Sequence, residues 1–260
     1  MTVRNAYGDS YPWALCIAQD EVRDYAVALV GEIAARDDID GFELEACGWY
    51  GFDHQSAHDK SGGVRLTAFE QYLFSLCFCR ACAGEYADVG VEPTTLRAAV
   101  RGRLDATFSG AAPPEFDAHL AAAVGQMRRH VGDGFRAEVA AAARPHRVLL
   151  HAHPDPLRYG ANVGVDAGPA LAIADGLVLN CWRDMDDAAA ALTAVATAAG
   201  EGQQVVASFL AVAEMGGDLA GLADRIERAR AAGATDLRFY HPGLASRADL
   251  DALRALRGPT

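Results

Sequence analysis

One short stretch of the chain supplies carboxylates, aromatic rings and imidazoles together. Within residues 40–46, Glu43 and Glu45 alternate with apolar residues, and this period of two is typical of a β-strand. Both glutamates therefore share one face of the strand, which is typical of the mouth of an α/β barrel. The following loop carries further groups that could stack on a ligand or exchange protons with it, namely Trp49, Tyr50, Asp53, His54 and His58.

Four later segments predicted to be strands also become polar toward their carboxyl ends. These segments are 147–153, 176–182, 203–210 and 236–240. Buried parallel strands usually read as continuous apolar runs, so polar residues at their carboxyl ends predict a shared pocket. The candidate ligand-binding residues from these segments are His151, His153, Asn180, Trp182, Arg238 and Tyr240, and Ser208 lies on the same side.

The elements that position these residues alternate between strand and helix, which predicts an α/β fold with a (β/α) barrel-like parallel sheet. Helical periodicity covers 20–36 and about 66–77, an alanine-rich helical insertion occupies about 80–143, and further helices are predicted at 184–199, 217–232 and 246–256. Residues 1–18 read as irregular. We expect a single barrel-like domain over residues 1–260.

The number of strands falls short of a closed barrel, because only five are clear and a barrel of this type needs eight. The sequence therefore predicts an incomplete TIM barrel or an open sheet. Unpaired edges need cover from inserted helices or from a partner chain, so we expect a homo-oligomer.

The composition is that of a globular protein, with 260 residues, 51% hydrophobic residues and a formal net charge of −12. No apolar run is long enough to span a membrane and no secretion signal is evident, which predicts a cytoplasmic protein. The negative charge argues against nucleic acid and anionic membranes as partners.

Three cysteines, Cys77, Cys79 and Cys82, form a C-x-C-x2-C cluster. Three thiolates this close in sequence can converge on one tetrahedral metal ion. We interpret the cluster as metal-binding rather than as part of a disulfide framework, because the chain is large and its six cysteines are few for its length.

A fourth ligand must come from elsewhere in the chain. Cys16 is favoured because it precedes a helix in an irregular segment, whereas Cys47 is more typical of a small packing residue. His54 and His58 are weaker alternatives. A site of four cysteines has no open coordination position, so we expect a structural Zn²⁺ ion.

The order of several motifs resembles glycoside hydrolases of the family 42 β-galactosidase type, and a wider set of uncharacterised glycosidase-like barrel proteins. The matching features are Ala14-Leu15-Cys16, a helix containing Tyr25, Asp40-Gly41-Phe42, and the cysteine cluster 77–82 ahead of Tyr86. In the galactosidases, a cysteine before the helix joins the cluster to hold a structural zinc. The resemblance therefore implies Cys16 as the fourth ligand and covers residues 14–86.

The family's catalytic motifs differ here. In the family, the acid/base glutamate belongs to an Asn-Glu pair at the end of the strand that corresponds to residues 40–46. In this chain that glutamate position falls on Cys47, and Glu45 lies two residues earlier. The family's nucleophile is a glutamate in a late strand; segment 203–210 has none, and Glu214 follows it.

Glycoside cleavage requires a protonated carboxylic acid and a second carboxylate. The candidate catalytic residues are Glu45 as the acid, with burial beside Trp49 expected to raise its pKa, and Glu214 or Asp53 as its partner. Glu43 is a further candidate, although it lies only about 7 Å from Glu45 on the same strand face. A small-molecule carbohydrate or glycoside is the expected ligand.

Two other functions remain open at this point. A metal-dependent hydrolase could use His151 and His153, which share a strand face, together with Glu43 or Glu45. A non-catalytic, degenerate barrel could instead bind a glycan or assemble with a partner.

Overall fold

The structure is a computed structural model that describes residues 1–52, 64–155 and 157–256. Its first part contains, in chain order, β1 (Thr2–Arg4), β2 (Ser10–Leu15), α1 (Asp20–Ala34), β3 (Gly41–Leu44), α2 (Ala68–Phe74), α3 (Arg80–Asp88), α4 (Pro93–Phe108) and α5 (Ala118–Ala142). The second part contains β4 (Arg147–His153), β5 (Val163–Gly164), α6 (Ala167–Ile173), β6 (Gly176–Asn180), α7 (Met185–Ala198), β7 (Gln204–Leu210), α8 (Leu222–Ala231), β8 (Asp236–Tyr240) and α9 (Arg247–Ala255). None of the described helices is long and apolar enough to cross a membrane.

Five parallel strands form the central sheet, in the order β3-β4-β6-β7-β8. The short strand β5 also pairs in parallel with β4, and β1 and β2 form a separate antiparallel pair. The sheet is curled into a half-barrel, so the predicted α/β class and barrel-like parallel sheet are confirmed. Among the described residues, β3 and β8 are the two edge strands.

Side chains that alternate along the strands divide the core into two parts. Outward-facing residues such as Leu150 and Leu177, both 1% exposed or less, pack in the large core that the helices share. Inward-facing Leu149, Val178 and Val206 form a small separate cluster on the concave side of the half-barrel. Both faces of the central strands are therefore apolar, which explains their continuous apolar sequences.

The curvature of the sheet brings its two edges to face each other. Glu43 of β3 accepts a hydrogen bond from Nε of Arg238 on β8, with an Oε1–Nε distance of 2.5 Å, although these strands lie at opposite ends of the sheet. The five strands thus form an arc whose first and last members are joined by side chains rather than by backbone pairing.

The amino-terminal segment differs from the prediction, since residues 1–18 contain β1 and β2 rather than irregular chain. Tyr11 of β2 is 5% exposed, and its hydroxyl accepts from Nδ2 of Asn5 and donates to the Phe74 carbonyl oxygen at 2.8 Å. The contact with α2 is remote in sequence, so local pattern did not indicate these strands.

The helices differ from the prediction at several boundaries, and α8 begins at Leu222 rather than at residue 217. The helix predicted at 66–77 is shorter, because the capping box of Thr67 and Glu70 sets its start and α2 ends at Phe74. Helix α6 was not predicted, since its seven residues are too few to establish a period. The region 80–143 is helical as expected and consists of α3, α4 and α5.

Replacing Glu43 and Arg238 by glutamine, singly and together, tests the contact between the sheet edges. Both side chains are 36% exposed, and solvent screening keeps exposed pairs weak, so we expect a coupling free energy of about 0.5–1 kcal/mol. Urea unfolding of the four proteins measures this energy, which should shrink at high salt.

The Asp251–Arg254 pair on α9 provides the control, because its side chains are 61% and 69% exposed and join residues of one helix. The coupling free energy of this control pair should be smaller than that of Glu43 and Arg238. A coupling between Glu43 and Arg238 that is indistinguishable from zero at low salt would contradict the interpretation.

Candidate metal centre and concave polar site

Four cysteines from separate parts of the chain meet between β2 and α3. Cys16 follows β2, Cys77 and Cys79 lie between α2 and α3, and Cys82 is in the first turn of α3. Their Sγ atoms all lie within 4.8 Å of one another, and the Cys16 sulfur is 3.7 Å from that of Cys79 and 3.4 Å from that of Cys82. The prediction that Cys16 joins the C-x-C-x2-C cluster is confirmed as far as this proximity goes.

These distances suit a tetrahedral metal site. Sulfurs at about 2.3 Å from a common ion would be about 3.8 Å apart, close to the separations found here. Two N–H groups also point at the sulfurs, since the Arg4 amide donates to Cys77 and the Gln19 side chain donates to Cys79. Such donors orient and stabilise metal-bound thiolates. The four cysteines could therefore hold a metal ion.

The cluster also favours ionisation at one of its sulfurs. Hydrogen bonds from Cys16, Cys77 and Cys82 lower the pKa of Cys79 far below the ordinary value of a thiol. Cys79 is also the N-cap residue of α3, where the helix dipole favours negative charge. A thiolate is the form that binds metal.

The alternative ligands of the sequence analysis do not join this group. Cys47 is 7% exposed and lies outside the cluster, and burial raises its pKa to about 11, so it remains a thiol at neutral pH. His54 and His58 lie outside the described residues, as does Asp53.

A second group of polar residues lies on the concave face of the half-barrel. Glu43 contacts both Arg238 and His151, with its Oε2 atom 3.5 Å from Nε2 of His151. Arg238 also pairs with Asp236 at 3.2 Å, and Gln204 donates to the Asp236 carboxylate. This network links four strands, β3, β4, β7 and β8, and we call it the concave network.

Aromatic and amide groups lie nearer the carboxyl ends of the strands. The rings of Trp182 and Tyr240 are 4.8 Å apart between centroids. Nε1 of Trp182 and Oδ1 of Asn180 are buried and have no hydrogen-bond partner in the described part of the chain. Ser208, which the register places beside Asn180 and Arg238, is 1% exposed. Buried polar atoms without partners are costly, so a bound ligand or water is the expected partner.

Glu45 lies just beyond β3 and is exposed. Burial, and then the Glu45 carboxylate, raise the pKa of Tyr240 above its ordinary value. The Glu45 carboxylate is therefore near enough to Tyr240 to act on its charge, although the two residues follow and end opposite edge strands of the sheet. The prediction of a buried Glu45 beside Trp49 differs from the structure, in which Glu45 is exposed and Trp49 is in the core.

Backbone strain is concentrated at the same two strand ends. Among the described residues, only Ala46 and His241 adopt a positive φ without being glycine, at 59° and 102°. Ala46 directly follows Glu45, and His241 directly follows Tyr240. Strained backbone of this kind is associated with functional sites.

The two histidines of β4 have different partners. Nδ1 of His153 accepts from the Asp155 amide at 3.0 Å, and its Nε2 lies 3.6 Å from Asp187, which also pairs with Arg158. Burial and the nearby Arg158 charge lower the pKa of His153, which favours the neutral ring. Within the described residues, neither His151 nor His153 belongs to a group of three or more potential metal ligands.

Three other predicted site residues lie elsewhere. Trp49 is in the core, 6% exposed, because its indole donates to the Arg128 carbonyl oxygen and is covered by the Arg128 guanidinium. Tyr50 is half-buried and lines a groove beside α1 and β3. Glu214 is exposed in a 3₁₀ turn after β7.

Asp236, Gln204 and Asp187 were not among the predicted site residues. Asp236 could have been found, because it shares the period of two with Arg238 and Tyr240. Gln204 and Asp187 could not, since one opens a strand and the other reads as an ordinary acidic residue in the first turn of a helix.

No protein-family model matches the chain, and no curated protein is significantly similar to it.

Metal analysis of the purified protein should find about one equivalent of a transition metal per chain, because four converging thiolates form a closed site. Cys16→Ser should lose most of this metal and lower the thermal stability. Cys47→Ser is the matched control, being a buried cysteine outside the cluster, and should retain the metal. Less than about a tenth of an equivalent in the unaltered protein would contradict the site.

Glu45→Gln should lower the pKa of Tyr240. A nearby carboxylate stabilises the neutral phenol, so removing its charge makes ionisation easier. Carbon-13 NMR of labelled tyrosine rings, titrated at alkaline pH, measures this shift. Glu214→Gln should leave the titration unchanged. If Glu45→Gln also leaves it unchanged, Glu45 does not face Tyr240.

Proposed function

We propose that this chain is a glycoside hydrolase-like protein that binds a carbohydrate at the carboxyl ends of its parallel strands. The observation that carries the proposal is the pairing of an aromatic surface, Trp182 and Tyr240, with buried polar atoms that have no partner among the described residues. Sugars present apolar ring faces and a rim of hydroxyl groups. Aromatic faces and hydrogen-bonding groups together complement both.

The hydroxyl groups of a sugar would have several partners here. The Asn180 carbonyl oxygen accepts hydrogen bonds and the Trp182 indole donates one, and both atoms lack a described partner. Arg238 and His151 already contact Glu43, so they would share their hydrogen bonds with a ligand. A ligand bound in this way would lie between the two edges of the half-barrel.

For catalysis, the roles of the two strand carboxylates differ. Glu43 is held by Arg238 and His151, whereas Glu45 forms no ion pair with any described residue. Glu45 is therefore the candidate acid, and Glu43 or Glu214 the candidate second carboxylate. The alternative metal-dependent hydrolysis through His151 and His153 gains no support from the described residues, because they form no three-ligand group.

The half-barrel fits derivation from a TIM barrel that lacks part of its strands, as the resemblance to family 42 galactosidases implies. We propose that the metal of the cysteine cluster is Zn²⁺, held by Cys16, Cys77, Cys79 and Cys82. Four thiolates complete a tetrahedral shell with no position for a substrate, so the ion would be structural. It would tie β2 to the turn between α2 and α3.

Isothermal titration calorimetry with methyl β-galactoside and β-linked galactose disaccharides tests the proposal. Trp182→Ala should weaken binding at least tenfold, about 1.4 kcal/mol, because it removes the stacking surface. Trp13→Ala is the control, since Trp13 is exposed on a different surface. Absence of binding at millimolar ligand, or equal affinity of both variants, would overturn the proposal.

The same ligands, as aryl glycosides, separate an enzyme from a binding protein. Glu45→Gln should retain affinity but lower turnover by far more than tenfold if Glu45 is the acid. Binding without turnover in the unaltered protein would favour the non-catalytic alternative.

A further inference from the structure

A groove outside the concave face exposes a concentration of apolar surface. Its walls include five large side chains that are 38–58% exposed, listed here as Trp13, Leu15, Tyr25, Leu29 and Ile33. They are five of the eleven large hydrophobic residues exposed in the described chain, and the groove has a volume of about 690 Å³. Contiguous apolar surface of this kind marks an interaction site. We call it the edge groove.

The floor of the edge groove is the free edge of β3. Every residue from 42 to 48 lines the groove, including side chains from both strand faces, as expected where a strand edge is open. β3 pairs with β4 on one side and with no described residue on the other. Its outward N–H and C=O groups are therefore available for pairing with an added strand.

Carboxylates surround the apolar surface. On the surface of α1, Glu21 lies one turn from Tyr25 and Glu32 lies one turn from Leu29. Glu45 lies at the end of β3 and lines the groove; all three carboxylates are exposed and none forms an ion pair with a described residue. The nearby arginines are already occupied, because Arg23 pairs with Glu138 and Arg36 pairs with Asp38. The rim of the edge groove is therefore acidic.

This charge argues against a second copy of the chain as the occupant. Pairing of two β3 edges would bring Glu43 and Glu45 of one copy beside the same residues of the other, and like charges in adjacent strands repel. The formal net charge of −12 on each copy adds to that repulsion.

We propose that the edge groove binds an extended basic peptide segment of another protein, which adds a strand to β3. Strand addition takes affinity from backbone pairing and specificity from alternate side chains. On β3, the outward residues Phe42 and Leu44 are half-buried and apolar, and the inward residues are Glu43 and Glu45. The segment therefore alternates apolar residues, which fill the groove beside Leu29, with Lys or Arg beside Glu45.

A fluorescent eight-residue peptide of alternating valine and lysine tests this proposal by anisotropy. It should bind at least tenfold tighter than a peptide of the same composition with its valines and lysines in two blocks. A version N-methylated at alternate residues, which cannot pair with a strand edge, should also lose at least tenfold. Equal binding of the three peptides would mean attraction by charge alone and would overturn the proposal.

Variants of the protein locate the peptide. Leu29→Asp should weaken binding at least tenfold, and Leu157→Asp, at an exposed leucine of a different surface, should not. Glu45→Lys should reverse the preference, from the valine–lysine peptide to a valine–glutamate peptide. Unchanged affinity of the Leu29 and Glu45 variants would overturn the assignment. Concentration-dependent dimerisation that Leu29→Asp abolishes, measured by sedimentation, would assign the groove to a second copy instead.

Discussion

The contact between Glu43 and Arg238 joins two sheet edges that backbone pairing leaves apart, and the concave site depends on the curvature that this contact reflects. Strand twist and the packing of helices on the outer face bend the sheet. The ion pair, half-exposed at both ends, contributes only a modest part of the energy. Its larger effect is geometric, because it crosses the concave face and brings Arg238 to the same carboxylate that His151 contacts. A flat sheet of the same strands would hold these side chains apart.

Because the described sheet does not close into a barrel, two different surfaces lie beside β3. The concave side collects polar groups whose partners come from other strands, and two of its buried atoms lack a described partner. The outer side of β3 collects apolar side chains and unpaired backbone, because no described strand follows at this edge. In a closed barrel these surfaces would be separated by further strands. Here both lie within reach of Glu45, so ligands at the two surfaces would meet the same carboxylate.

The cysteine cluster lies in a part of the chain outside the main sheet. It lies where β2, α3 and the turn before α3 meet, and its sulfurs receive hydrogen bonds from Arg4 and Gln19. A metal ion there would cross-link segments that are far apart in sequence, which restricts the unfolded chain as well as orienting the folded one. The cluster shares no residue with the concave network, so the proposed metal site and the proposed ligand site can be tested separately.

The sequence by itself determined the parallel α/β order, since apolar runs and helical periods are local properties. It also identified the cysteines that cluster, because three of them lie within six residues. It also placed His151, Asn180, Trp182, Arg238 and Tyr240 at strand ends, where alternation assigns a face. Only the tertiary structure decided that Trp49 enters the core beneath Arg128, that Glu43 pairs with Arg238, and that the Glu45 carboxylate acts on the pKa of Tyr240. These three contacts depend on the curvature of the sheet and on residues that are remote in sequence. A local sequence pattern contains information about neither.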